Sequence, residues 1–133
     1  MKTLLMIKPD AVAAGQVGDI ITLVERNRFA IKRLAKTQFT KERAERFYEV
    51  HKARPFYGEL VSYITSGPVV AIEIEADEAV TRIRELIGAT NPADARPGTI
   101  RAMYGKSLQN NAVHGSDAPE NAQKELEIAF GGA

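Results

Sequence analysis

The sequence predicts an α+β fold: a ferredoxin-like split β-α-β arrangement, with a four-stranded antiparallel sheet and covering helices. Three observations lead there. Short apolar or alternating runs stand at Leu4–Ile7, Ala30–Gln38, Val69–Glu75 and immediately before His114. Stripes of apolar residues at helical spacing separate these runs, and one more stripe closes the chain. The resulting order, strand–helix–strand–helices–strand–helix–strand–helix, is that of a split β-α-β sheet with helices on one face. At 133 residues, 44% hydrophobic and 26% charged, the chain has the size and composition of one globular domain, residues 1–133.

Leu4 to Ile7 is a continuous apolar run ended by Pro9, as expected of a central strand buried on both faces. Ile20, Ile21, Leu23 and Val24 form a helical stripe that gives way between Asn27 and Phe29. Ala30 to Gln38 reads as a strand, although its alternation is imperfect. Thr40 is placed to cap a helix whose stripe is Ala44, Phe47, Tyr48 and His51. A second apolar-periodic piece runs from Phe56 to Ile64 and closes at Ser66-Gly67-Pro68. Val69 to Glu75 is the clearest strand, with Ile72 and Ile74 alternating against Glu73 and Glu75. Asp77 is expected to cap the helix of Val80, Ile83 and Ile87, and Gly88 to end it. Ala89 to Asn111 has little periodicity and reads as a long loop, a feature usually tied to function in a compact domain. A strand then leads into His114, Ser116-Asp117-x-Pro119 signals a helix start, and the last helix runs from about Ala118 to Phe130.

Several functions are excluded by composition. The net charge of +1, from 18 basic and 17 acidic residues, gives no electrostatic basis for dedicated nucleic-acid binding. The absence of cysteine removes disulfides, thiol catalysis and thiolate metal sites. The apolar run near the N-terminus is too short for a signal peptide, and no stretch approaches membrane-spanning length, so a cytoplasmic protein is expected. Gly105-Lys106-Ser107 resembles the end of a P-loop, but the required upstream glycine is missing, and histidine–carboxylate metal spacings are missing too.

His114 is the residue best placed for chemistry. It stands at a loop-to-helix junction, before Gly115, where backbone N–H groups favour anions. Imidazole has an unperturbed pKa close to neutrality and serves as a neutral nucleophile. Glu125 falls on the apolar stripe Ala118, Ala122, Leu126, Ala129, where a carboxylate needs a partner. Two readings fit: Glu125 orients the His114 ring, or it lies at the stripe's edge and reaches water. Lys8 emerges at a strand's carboxyl end, as ligand-binding residues often do, or is an ordinary solvated lysine. Arg84, Thr90 and Arg101 would suit a polyphosphate, though surface charge explains them equally. Tyr48 reads as core packing with its hydroxyl bonded, and His51 as a packed or surface histidine.

Taken together, the motifs resemble those of nucleoside diphosphate kinases over nearly the whole chain, from about Thr3 to Phe130. The resemblance is carried by Ile7-Lys8-Pro9-Asp10-Ala11-Val12, Arg54-Pro55-Phe56, Ser66-Gly67-Pro68-Val69, Gly88-Ala89-Thr90-Asn91-Pro92-Ala93, Gly98-Thr99-Ile100-Arg101 and Asn111-Ala112-Val113-His114-Gly115-Ser116-Asp117. It implies a ping-pong transfer of the γ-phosphoryl group of a nucleoside triphosphate to a diphosphate through a phosphohistidine on His114. By position it implies that Lys8, Tyr48, Arg84, Thr90 and Arg101 contact phosphates and ribose, and that Asn111 binds ribose. Phe56 would stack on the base, with Leu60 and Leu108 around it. Glu125 would orient the histidine, and Ser116 would support Glu125. The resemblance further implies Mg²⁺ held by nucleotide phosphates and water rather than by a protein site. It also implies a homo-tetramer or homo-hexamer built from dimers.

Two departures concern assembly. Ala102-Met103-Tyr104 stands where many members carry Gly-Asp-Phe, and many relatives extend past the point reached here by Gly131-Gly132-Ala133. Both assembly states therefore stay open. A competing reading, an RNA-recognition module on the same fold, wants exposed strand aromatics. The strands offer Leu4-Leu5-Met6-Ile7 and Val69-Val70-Ala71-Ile72 instead.

Overall fold

The computed structural model describes residues 1–131; Gly132 and Ala133 lie outside the described residues. Its elements in chain order are β1 (Lys2–Ile7), α1 (Pro9–Ala13), α2 (Val17–Arg26), β2 (Ala30–Thr37), α3 (Lys41–Phe47), α4 (Tyr57–Ile64), β3 (Val69–Glu75), α5 (Ala79–Ile87), α6 (Ile100–Tyr104), β4 (Val113–Gly115) and α7 (Pro119–Phe130). Single 3₁₀ turns occur at Glu49–His51 and Pro92–Asp94. The four strands form one antiparallel sheet in the order β2-β3-β1-β4, the ferredoxin-like arrangement expected.

The helices, however, cover both faces of the sheet, not one. Leu5 and Ile7 of β1, with Ile72 and Ile74 of β3, pack against Ile20 and Val24 of α2 and Ile83 and Ile87 of α5. Leu4 and Met6, with Val69 and Ala71, pack against Phe39, Ala44 and Phe47, against Val61 and Ile64 of α4, and against Leu126 and Ala129 of α7. The reason lies in the strands themselves. An unbroken apolar run puts an apolar side chain on each face in turn, so each face needs a cover.

Four local expectations also change. The imperfect alternation of β2 is a register shift between Ile31, opposite Ile74, and Arg33, opposite Glu73, where Arg33 makes two 3.1 Å bonds to the carboxylate. The helix starting after Thr40 is capped as expected, Thr40 accepting the Arg43 N–H, but it stops at Phe47, and His51 sits in the following 3₁₀ turn. Asp77 does not cap α5. Glu78 occupies the cap position in the left-handed region without a side-chain bond, and the Asp77 carbonyl accepts from Arg82 instead. The stretch between Ala89 and Asn111 is not structureless, since Thr99 caps the short helix α6 with its hydroxyl. Five residues are too few to display a helical period.

Gly88 ends α5 at φ +92°, and a methyl group there would meet the Thr99 hydroxyl at 2.6 Å. Gly88→Ala is therefore expected to lose about 2 kcal/mol, combining backbone strain with a clash. Urea unfolding measures it, and an unchanged midpoint would refute this account of the α5 terminus.

Candidate active site

Strand pairing comes first. β4 lies antiparallel to β1 with Ile7 opposite Val113, Met6 opposite His114 and Leu5 opposite Gly115. Side chains alternate along a strand, so Val113 enters the α2/α5 core while His114 turns to the α7 side. There its ring and that of Phe47 pack in a T-shaped pair, centroids 5.1 Å apart.

Glu125, in the second turn of α7, reaches back to this ring. His114 Nε2 lies 2.8 Å from Glu125 Oε1, and the Ser116 hydroxyl donates to the same oxygen at 2.6 Å. A carboxylate only accepts, so the hydrogen of the neutral ring belongs on Nε2. Nδ1 then keeps its lone pair. It has no hydrogen-bond partner among the described residues, and the ring lines a cleft of about 340 Å³. Ser116 is fully buried beneath the cleft. Its hydroxyl donates to Glu125, and it lies two residues before the cap position of α7. Ala118 holds the cap position with no side-chain bond, and the Asp117 carboxylate accepts from Asn121.

Eleven of the twelve residues singled out from the sequence line this one cleft, Ser116 being the exception. Lys8 leaves the end of β1 and is 8% exposed, its ammonium donating to Asn111 Oδ1 at 2.8 Å. The Asn111 amide donates in turn to the Thr90 carbonyl at 3.1 Å. Arg101, on α6, is anchored by the carbonyls of Gly88 (3.2 Å) and Val113 (2.9 Å), and its buried Nε has no partner. Arg84 stands exposed on α5. At the opposite wall Tyr48 is buried, and desolvation followed by the charge of Glu125 pushes its phenol well above the ordinary range, so it stays a donor. Phe56 and Leu108 are exposed apolar members of the lining, and Leu60 is partly buried.

The sequence did not single out Phe47, Tyr63, Asp117 or Lys124, which also line the cleft. Phe47 and Tyr63 look like ordinary members of apolar stripes, and Asp117 reads as part of a helix-start signal. Nothing in spacing marks them. His51 packs beside Phe56, centroids 5.6 Å apart, on the cleft wall.

The electrostatics are those of a site for a polyanion. Burial, then the nearby Arg101 charge, lowers the Lys8 pKa to about 8, partly opposed by Asp10. Burial, then Arg84, lowers Arg101 to about 10. Like charges held this close in a desolvated cleft are relieved by a bound anion.

The comparisons with known proteins agree along the whole chain. A family model described as nucleoside diphosphate kinase matches residues 1–133. The chain belongs to the nucleoside diphosphate kinase family. It is 54% identical to the nucleoside diphosphate kinase of a Nitratiruptor species, the match covering 97% of this chain and 94% of that relative. It is 55% identical to that of Campylobacter fetus subsp. fetus, with the same coverage. Among solved structures, the Aquifex aeolicus nucleoside diphosphate kinase superposes with a TM-score of 0.95 at 45% identity, over 98% of this chain and 95% of that one. The Halobacterium salinarum enzyme in complex with CDP superposes with a TM-score of 0.93 at 39% identity, over 98% and 87%. Nucleoside diphosphate kinases use a divalent cation, and no group of three or more metal-ligating side chains occurs among the described residues. No helix among those residues is long and apolar enough to cross a membrane.

A lysine whose folded pKa is below its unfolded value subtracts stability at every pH below about 8. The penalty fades from pH 8 to 10.5, where the unfolded chain binds the extra proton. The shift corresponds to about 3 kcal/mol at neutral pH. Lys8→Met is expected to raise unfolding free energy by about 2 kcal/mol at pH 7, after loss of the Asn111 bond, and to raise it less at pH 10. Urea titrations at the two pH values check this, and a variant less stable than the parent at both would overturn it.

Proposed function

We propose that His114 carries the phosphoryl group in the nucleoside diphosphate kinase reaction of this chain, with one cleft serving donor and acceptor nucleotides in turn. The observation that carries this reading is the ring of His114, tied through Nε2 to Glu125, without a partner at Nδ1 among the described residues, and lining one cleft with Lys8, Arg84 and Arg101. In the first half-reaction the Nδ1 lone pair attacks the γ-phosphorus of a nucleoside triphosphate. The N–P bond forms as the bond to the bridging β-phosphate oxygen breaks, and the diphosphate leaves. The second half-reaction reverses these events on another diphosphate.

Phosphoryl transfer through a loose transition state asks mainly for positioning and charge stabilisation. Lys8, Arg84 and Arg101 offset the oxygen charge, with Thr90 and the Tyr48 hydroxyl as neutral donors. Asn111 and Lys8 bind ribose hydroxyls. Phe56, with Leu60 and Leu108, takes the base by stacking, which tolerates any base because each has a π-face. The relative from H. salinarum, solved with CDP, is in keeping with a nucleotide in this cleft. Glu125 stabilises the positive charge that the ring acquires on phosphorylation, and Ser116 holds Glu125 in place.

Mg²⁺ is the proposed cation. The Glu125 carboxylate is committed to His114 and Ser116, and Asp117 is bonded to Asn121. The remaining lining is cationic or neutral, which fits a metal held by nucleotide phosphates and water. When bound it would supply further charge neutralisation on the phosphates. The reading extends to one domain over residues 1–133, acting on free nucleotides in the cytoplasm. It also extends to a symmetric tetramer or hexamer, which sedimentation would assign.

Incubation with γ-labelled ATP and Mg²⁺ should give acid-labile, base-stable label that moves to added GDP, and His114→Ala should give none. Label persisting in His114→Ala would refute the carrier role. Glu125→Gln keeps an oxygen for both hydrogen bonds but loses the charge, so transfer should slow by about 10- to 100-fold with the fold intact. Unchanged turnover would remove Glu125 from the mechanism.

A further inference from the structure

Between Asn111 and His114 the backbone makes one tight bend, and an alanine makes it. Ala112 has φ +73°, a region seldom entered by residues other than glycine and asparagine. The Val113 N–H donates to the Asn111 carbonyl at 2.9 Å, closing a three-residue γ-turn of the strained hand. Ala112 is fully buried, so water does not support this conformation. Strain of this kind persists only where its surroundings over-determine it.

The surroundings are specific. Asp10 Oδ2 accepts the Ala112 N–H at 3.1 Å, and the Lys8 N–H donates to the Ala112 carbonyl at 2.8 Å. The other Asp10 oxygen accepts the Tyr63 hydroxyl, and that hydroxyl accepts the N–H of Asp10 at 3.1 Å. The carboxylate is thus held from α4 on one side and holds the turn on the other. We infer that Asp10 and Tyr63 form a positioning pair that keeps Ala112 in its strained turn and thereby sets the distance between Asn111 and the ring of His114. The inference rests on His114 being the phosphoryl carrier.

The consequence belongs to transfer more than to binding. A relaxed Ala112 would rotate the peptide planes on either side of it. Asn111 would leave Lys8 Nζ and the Thr90 carbonyl, and His114 would shift along β4 relative to a nucleotide gripped by the arginines. Misplacement of reacting groups by about 1 Å is enough to cost about 100-fold in rate. Asp10 has a second effect, since its charge raises the Lys8 pKa. Tyr63→Phe leaves that charge in place, which separates the two effects.

The test measures the rate of His114 labelling by γ-labelled ATP, with KM alongside, in the full chain and its variants. Tyr63→Phe and Asp10→Asn are each expected to slow labelling by about tenfold or more, with KM for ATP moving less than about threefold. Ala112→Gly, added to either variant, should recover most of the loss, because glycine adopts this φ without strain. Labelling at the parent rate in Tyr63→Phe, or failure of Ala112→Gly to rescue a folded variant, overturns the inference. A raised KM with unchanged labelling also overturns it, leaving Asp10 as a partner of Lys8 only. If Asp10→Asn does not fold, Tyr63→Phe and its Ala112→Gly rescue decide. Absence of label on His114 in the parent chain is a different failure, that of the carrier assignment.

Discussion

The pairing of β4 with β1 is the constraint on which the rest of the site depends. Its ladder spans only three residue pairs, extended by the Lys8 N–H to the Ala112 carbonyl at one end and the Ser116 N–H to the Leu4 carbonyl at the other. That short ladder brings together residues more than a hundred positions apart. Lys8 and Asn111 meet just beyond one end of it. His114 stands in the middle and Ser116 at the other end. Strand alternation then sends Val113 into one core and His114 toward α7, where Glu125 is within reach. A one-residue slip would reverse these faces and destroy the arrangement.

Register of this kind needs a rigid frame, and the two cores supply it. β1 and β3 are covered on both faces, so neither strand can slide without exposing a row of apolar side chains. The site itself works against stability. Lys8 and Arg101 are desolvated beside one another, Arg101 keeps an unpartnered Nε, and Ala112 holds a strained backbone. These features lie together at the end of the sheet where β1 and β4 meet α5, α6 and α7. Functional sites concentrate such local costs because tight grip on a polyanion and close placement of a nucleophile both require them.

Much of this was legible in the sequence, for reasons that differ residue by residue. The β1 and β3 runs, the α7 stripe, the Thr40 cap and the Gly88 terminus are local patterns with local causes, and they appear as expected. Glu125 was ambiguous on pattern because helical periodicity says which face a residue occupies but not what faces it. The register shift in β2, the uncapped start of α5 and the short helix α6 were hidden. Arg33 is drawn to a partner distant in sequence, Glu73, while α6 is too short to display a period and no local signal puts Glu78 in place of Asp77 at the cap of α5. The capping signal before α7 misled because the helix begins at Pro119 with Ala118 at the cap position, which leaves Ser116 outside it, donating its hydroxyl to Glu125.

By itself, then, the sequence determined the fold class, the order of the strands and longer helices, and the family, because hydrophobic period and ordered motifs are properties of the chain alone. Only the tertiary structure decided that helices cover both faces, that Nε2 of His114 is the tied nitrogen, and that Asp10 and Tyr63 brace the turn at Ala112. Those outcomes depend on distances between atoms that the chain separates and the sheet reunites. No spacing along the chain encodes them.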